Sequence, residues 1–252
     1  MFGSGGYLGS RLRAKLQEHN HRVVVFTING NSIFTIEKKI VQILLQQKFD
    51  IVINSAVSYK RGKIATLINE ELPATLASLA LQHDYKLLHI STVNTVQNVD
   101  DKYTISKKKS ENRIRAVAAR RRDHIKILRL PLLTDLEGEW IFKQIPLFKF
   151  LPIIILPNFN AKYSPIDVHL VAEKIAKNLL TIIEGKSKSL NWFGPEIIEL
   201  SKCIELFSKK KCFILQLYGH SRLTNWLLKT SFTNFFDLNR SYQNCKNVTI
   251  IR

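Results

Sequence analysis

Leu8, Leu12 and Leu16 recur four residues apart with Arg11, Arg13 and Lys15 between them, the period of an amphipathic helix. Val23-Val24-Val25-Phe26-Thr27 then reads as a buried strand, Ile36, Ile40, Ile43 and Leu44 share one helical face, and Ile51-Val52-Ile53 is the next strand. Residues 67–81 read as a helix, 86–90 as a strand running into Ser91-Thr92, 103–119 as a helix, and 125–130 as a strand stopped by Pro131. Short apolar runs alternating with helical stretches imply βαβ units, so the predicted class is α/β with a Rossmann-like, doubly wound parallel sheet.

Beyond Pro131 the character changes, because Pro146, Pro152, Pro157 and Pro165 interrupt any long element. A helix is expected over 167–180 with Val168, Val171, Ala172, Ile175 and Leu179 inward, and another over 196–207. We divide the chain into a nucleotide-binding core, 1–135, and a small C-terminal substrate-side segment, 136–252, folded onto it as one compact unit. The start is anomalous. A dinucleotide-binding glycine turn follows a buried strand of about five residues, yet only Met1 and Phe2 precede this one. The pattern predicts a truncated first strand, and either an open reading frame beginning upstream or a degraded or mis-started copy.

With 252 residues and 45% hydrophobic content, the chain can bury a full core. The longest apolar stretch, 147–157, contains a lysine and prolines and is too short for a bilayer span, and no signal-peptide pattern opens the chain. Cys203, Cys212 and Cys245 are too few and too scattered for a disulfide framework or a metal knuckle, which points to a reducing cytoplasm and to no metal site. The net charge of +18 raises the question of a nucleic-acid surface. The excess is dispersed, and the densest run, 107–122, has no aromatic residue to stack on a base, so no nucleic-acid partner is expected.

Candidate chemistry lies in two places. Gly3, Gly6 and Gly9, with Tyr7 and Leu8 between the last two, have the spacing of a turn that sets a pyrophosphate against a helix N-terminus. No acid follows at Thr27-Ile28-Asn29 to hold a ribose 2′-hydroxyl. The cofactor is therefore NAD or NADP, with a lean to NADP through Lys38 or Lys39. Asn54-Ser55-Ala56, at the end of a strand, suits close approach of the cofactor.

The second place is Tyr103-Thr-Ile-Ser-Lys107, a phenol and an ammonium one helical turn apart. A nearby ammonium favours phenolate and lowers the tyrosine pKa from about 10 toward the working range. Ser91-Thr92 ends the preceding strand, where a hydroxyl can polarise a substrate carbonyl.

Taken in order, these motifs resemble the extended or atypical branch of the short-chain dehydrogenase/reductase superfamily, the group of NAD-dependent epimerases and dehydratases. The likeness covers residues 3–207. It includes the segment Phe49-Asp50-Ile-Val-Ile-Asn54-Ser-Ala56, Asn69, His89-Ile90-Ser91-Thr92, Tyr103-x-x-Ser106-Lys107-x-x-x-Glu111 and Ile127-Leu128-Arg129-Leu130-Pro131. The resemblance implies Tyr103 as acid/base, Lys107 as its activator and ribose ligand, and Thr92 or Ser91 as the carbonyl-orienting hydroxyl, with Thr92 favoured by the Ile-Ser-Thr pattern. It implies that Pro131 lies by the nicotinamide, that the substrate is a small molecule such as a nucleotide-linked sugar, and that a homodimer through the helices over 67–81 and 103–119 is allowed. The segments 92–103 and 27–50 are short for the family, the second by about one strand. Atypical members, a complex I accessory subunit among them, bind a dinucleotide for structural reasons, and that is the alternative reading.

Overall fold

The computed structural model describes residues 1–28, 32–58, 62–97, 101–120, 123–135, 153–157, 162–199, 202, 213–217 and 248–250. Its first elements are α1 (Tyr7–Glu18), α2 (Ile33–Gln46) and β1 (Ile51–Asn54). A helical run follows in three pieces, α3 (Lys63–Thr66), a π-turn (Leu67–Glu71) and α4 (Leu72–Gln82). Next come β2 (Lys86–Thr92), a 3-10 turn (Val93–Val96), α5 (Lys102–Val117), β3 (Ile125–Leu130) and β4 (Leu133–Thr134). The later elements are β5 (Ile153–Pro157), β6 (Lys162–Tyr163), β7 (Ile166–Asp167), α6 (Val168–Lys177), α7 (Leu179–Glu184), β8 (Ser189–Phe193), β9 (Ile198–Glu199), β10 (Phe213–Leu217) and β11 (Val248–Ile250).

The central sheet runs β1-β2-β3-β8-β11, every neighbouring pair parallel. Period-two alternation sends side chains to two separate cores. On one face Leu88, Ile90, Leu128 and Leu130 meet Leu8, Leu12 and Leu16 of α1 and Val168, Val171 and Ile175 of α6. On the other, Leu87, Ile125 and Ile127 meet Leu72, Leu76 and Leu79 of α4 and Ile114 of α5. This is the doubly wound α/β arrangement that the pattern predicted.

Ahead of the glycine turn stand isolated bridges. Phe2 bridges Phe26 on one side and Asn54 on the other, both in parallel sense. Its N–H donates to the Ile53 carbonyl at 2.9 Å and its carbonyl accepts from Ser55 N–H at 3.1 Å. The Phe2 ring stacks on Phe26 with centroids 4.7 Å apart. Phe2 thereby links β1 to the 23–26 segment.

Three expectations need correction. The 23–27 segment is not a buried strand: it has a single bridge at Phe26 and Val25 is exposed, because no described strand lies outside it. The expected helix over 196–207 is contradicted at its start, where β9 pairs antiparallel with β6; residues 203–207 lie outside the described residues. The strand β8 was not expected at all. It lies inside the sheet although its first three residues, Ser189-Leu-Asn191, form no apolar run. The cysteines, Arg121, Arg122, Pro146 and Pro152 also lie outside the described residues. Among the described residues no helix is long and apolar enough to cross a membrane.

Candidate active site

The glycine turn is built by contact rather than by flexibility. Gly3 has φ +77°, and a Cβ there would lie 2.5 Å from the Ala56 nitrogen. A Cβ on Gly9 would lie 1.9 Å from the Gly3 carbonyl oxygen. That carbonyl instead accepts the Gly6 N–H at 3.0 Å, closing the turn against the backbone of Ser55 and Ala56. Gly6 caps α1 without a side-chain bond, and no acid stands in the first turn of that helix. An α-helix leaves its first-turn N–H groups without intrahelical partners, and they carry a partial positive charge. The residues present therefore fit a pyrophosphate at this end of α1.

Leu8 is buried in the core. Tyr7 donates its hydroxyl to Asp135 Oδ2 at 2.6 Å, and Arg11, 4.6 Å above the Tyr7 ring, lies 3.7 Å from the same carboxylate. Burial and the Asp135 carboxylate push the Tyr7 phenol up, so it stays a neutral donor. Arg11 Nε reaches His169 at 3.2 Å. The helix that starts at the glycine turn is thus tied to the end of β4 and the first turn of α6.

Asn54 and Ser55 are both hydrogen-bonded through their side chains. Asn54 Oδ1 accepts the Ala56 N–H at 3.1 Å and Asn54 Nδ2 donates to His89 Nδ1 at 3.3 Å, while Ser55 Oγ donates to the Phe2 carbonyl. Burial, with the Lys107 charge adding, holds the His89 imidazole well below its ordinary value. Neutral His89 accepting at Nδ1 carries its proton on Nε2, which faces Ser110 Oγ at 3.3 Å. A buried chain therefore runs from the wall of the glycine turn, through β1 and β2, into α5. Asn69 adds a second clamp from the π-turn. It holds both the N–H and the carbonyl of Ser58 at 2.8 Å and lies 3.5 Å from Ser106 Oγ.

The α5 helix begins with Asp101 capping the Thr104 N–H at 2.9 Å. Its inward face carries Lys107, Ser110, Glu111 and Ile114 at i, i+3, i+4 and i+7, all buried. Tyr103, one turn before Lys107 on that face, is half-buried. Lys107 Nζ donates to the Ile90 carbonyl at 3.0 Å, Ser110 reaches His89, and Ser91 Oγ donates to Glu111 Oε1 at 2.7 Å. These contacts seat Lys107, Ser110 and Glu111 against His89–Ser91, the C-terminal part of β2. In open parallel sheets the C-terminal edge is where ligands bind.

The two hydroxyls left open by the sequence part company. Ser91 faces α5 with Leu87 and His89, and its proton is committed to Glu111. Thr92 alternates to the other face with Leu88 and Ile90, and its Oγ1 accepts the Asn94 N–H at 3.3 Å, which leaves its own proton for another acceptor. Pro131 is buried just past β3, beside the last register pair Thr92↔Leu130. Lys38 lies over the Phe34 ring at 4.3 Å, so it is engaged on α2.

One set of residues the sequence reading did not assign holds this arrangement. Glu111 receives Arg129 Nε at 2.9 Å and Nη2 at 2.5 Å, and Arg115 at 2.6 Å from the outside. Thr95 Oγ1 lies 2.9 Å from Glu111 and from the Thr92 carbonyl, and Arg129 Nη1 donates to Asn191 of β8 at 3.1 Å. Burial pushes the Glu111 carboxyl up, but the Arg129 pair and the two hydroxyls outweigh it and hold the carboxyl below its ordinary range. A charged Arg129 within Ile-Lys-Ile-Leu-Arg-Leu was the available signal, since a guanidinium in a central strand requires a buried partner.

Residues 1–120 match the family described as RmlD substrate binding domain. The fold is similar to a dTDP-4-dehydrorhamnose reductase of Clostridium acetobutylicum, with TM-score 0.68 and 17% identity over 100% of this chain and 88% of that one. It is also similar to a dTDP-4-dehydrorhamnose reductase of Bacillus anthracis in complex with NADP, with TM-score 0.66 and 19% identity over 86% and 83% of the two chains. A dTDP-glucose 4,6-dehydratase of the same organism, in complex with NAD, gives TM-score 0.67 and 15% identity over 88% and 84%. No curated protein matches the chain. The resemblance to extended short-chain dehydrogenases/reductases read from the motifs stands.

Proposed function

We propose that the protein is an NADP-dependent reductase of a keto sugar carried on a nucleoside diphosphate. The observation that carries this reading is the docking of α5 on β2: Lys107 bonded to the Ile90 carbonyl, Tyr103 one helical turn before it, and Thr92 ending that strand. Support for the cofactor class comes from the fit of the glycine turn to a pyrophosphate, and from the NADP and NAD complexes of the similar structures. A bound nicotinamide supplies the hydride that the substrate carbonyl carbon takes up. Thr92 Oγ1 donates to the carbonyl oxygen and aligns it, and Tyr103 gives its hydroxyl proton to that oxygen as the C–H bond forms. The Lys107 ammonium stabilises the resulting phenolate, which is reprotonated from solvent. The products are the alcohol and the oxidised cofactor, so atoms and charge balance.

The test is purified protein with NADPH and a dTDP-4-keto-6-deoxyhexose, followed by loss of NADPH absorbance. Positioned acid catalysis is worth about 10²–10⁴-fold, so Tyr103→Phe should cut turnover at least about a hundredfold while NADPH affinity stays within about twofold. Wild-type protein that binds NADPH but reduces no nucleotide-linked keto sugar would favour a structural dinucleotide-binding role.

A further inference from the structure

The 3-10 turn that follows Thr92 ends on a side chain for which the fold supplies no use. Gln97 is 5% exposed, and neither Oε1 nor Nε2 has a hydrogen-bond partner among the described residues. Its backbone is fixed, with N–H bonded to the Asn94 carbonyl at 3.1 Å. A buried amide missing both its donor and its acceptor bonds is costly and uncommon in native proteins. His124 Nδ1 is also unpartnered, but it precedes β3 at the N-terminal edge of the sheet, away from the edge where ligands bind. Gln97 lies at the C-terminal edge, five residues beyond Thr92.

We propose that the Gln97 carboxamide is a substrate-binding group that takes hydroxyls of the sugar ring, a role that rests on the function proposed above. The chemistry selects this ligand class in two steps. A carboxamide presents an acceptor and a donor side by side, which suits a hydroxyl group able to give one hydrogen bond and receive another. The turn itself, Val93-Asn-Thr-Val96 followed by Gln97, carries no charge, so it offers nothing to neutralise a phosphate. The ligand's anionic part is accommodated elsewhere, and its neutral hydroxylated part meets Gln97. The ligand-free protein then bears the cost of an unpaired amide, which substrate binding relieves.

Gln97→Met tests this, because it keeps the length of the side chain and removes both polar atoms. Binding is measured for dTDP-glucose and UDP-glucose, for the sugar-free diphosphates TDP and UDP, and for NADPH, together with the melting temperature of the ligand-free protein. The expected result is a ligand-free Gln97→Met protein that melts above wild type, binds NADPH, TDP and UDP as wild type does, and binds the sugar nucleotides at least tenfold more weakly. Gln97→Asn, which withdraws the amide by one methylene, should lose sugar-nucleotide affinity as well. Unchanged sugar-nucleotide affinity in both variants, or a wild type that binds neither sugar nucleotide, overturns the proposal. So does a Gln97→Met protein that melts below wild type or does not fold, since the amide is then paired in the native state. Loss of wild-type NADPH binding would instead strike the cofactor reading.

Discussion

Lys107 is held where a cation is expensive. Burial lowers its ammonium to about 8 from the ordinary 10.5, with the Glu111 carboxylate one turn away opposing the shift. Below about pH 8 the folded and unfolded states both carry the proton, and the folded protein bears the full penalty. Between about 8 and 10.5 the folded state releases it while the unfolded state keeps it, so stability should rise with pH across that window. Turnover should move the opposite way, falling as pH passes about 8, because the ammonium that stabilises the Tyr103 phenolate is being lost. Urea melts and NADPH-oxidation rates at pH 6 to 10 check both; Lys107→Met should abolish the rise in stability, and a flat stability profile in wild type would refute the assignment. The Tyr103 and Lys107 pair was legible in the sequence because both members share one helix at i and i+4. Glu111 and Arg129 were not, because their bond joins α5 to β3 across 18 residues of chain and only the fold brings them together. The same limit kept Ser91 and Thr92 equivalent in the sequence, since strand alternation assigns them to faces only once α5 is known to cover one of those faces.

At the scale of elements, the glycine turn and α1 form one unit whose geometry depends on a missing methyl. An alanine at position 9 would put Cβ 1.9 Å from the Gly3 carbonyl oxygen, and that oxygen cannot retreat because it already accepts the Gly6 N–H. Gly9→Ala should therefore open the turn and weaken NADPH binding by at least about tenfold, the equivalent of about 1.4 kcal/mol. Gly5→Ala is the internal control: nothing lies within 4 Å of the added carbon, so affinity should stay within about twofold. Fluorescence titration with NADPH decides it, and equal losses in both variants would mean the turn is not read by contact. Helices α1, α2, α4 and α6 were visible in the sequence because each repeats its apolar residues at three and four, and α5 because Tyr103 and Lys107 stand one turn apart. The edge and late strands were not. The 23–27 run is apolar enough for a central strand but has neighbours on one side alone. Ser189–Phe193 holds an asparagine inside the sheet because Arg129 bonds to it.

For the molecule as a whole, the sheet disregards any boundary near residue 135. Its fourth position, between β3 and β11, is filled by β8, and α1 is covered by α6, so the glycine helix depends on residues that follow it by more than 150 positions. The polar contacts run the same way, with Tyr7 and Arg11 bonded to Asp135, and Arg11 to His169. Surface ion pairs such as Lys86–Asp123 at 4.0 Å add little, since exposed pairs contribute about 0–1 kcal/mol. The apolar cover is what matters. Val168, Val171 and Ile175 are fully buried against α1 and the sheet. At about 1.5–3 kcal/mol for each side chain, these three approach the about 5–15 kcal/mol by which a whole domain is stable. A chain ending at Asp135 would also leave Leu12, Leu16, Leu128 and Leu130 facing water and Arg129 without Asn191. We therefore expect a 1–135 fragment to lose the near-ultraviolet circular dichroism of a packed core and to unfold in urea without a cooperative transition. A sharp urea transition in that fragment, with NADPH binding retained, would show that the nucleotide-binding half stands alone and that α6 and β8 are additions to a finished fold rather than part of its core.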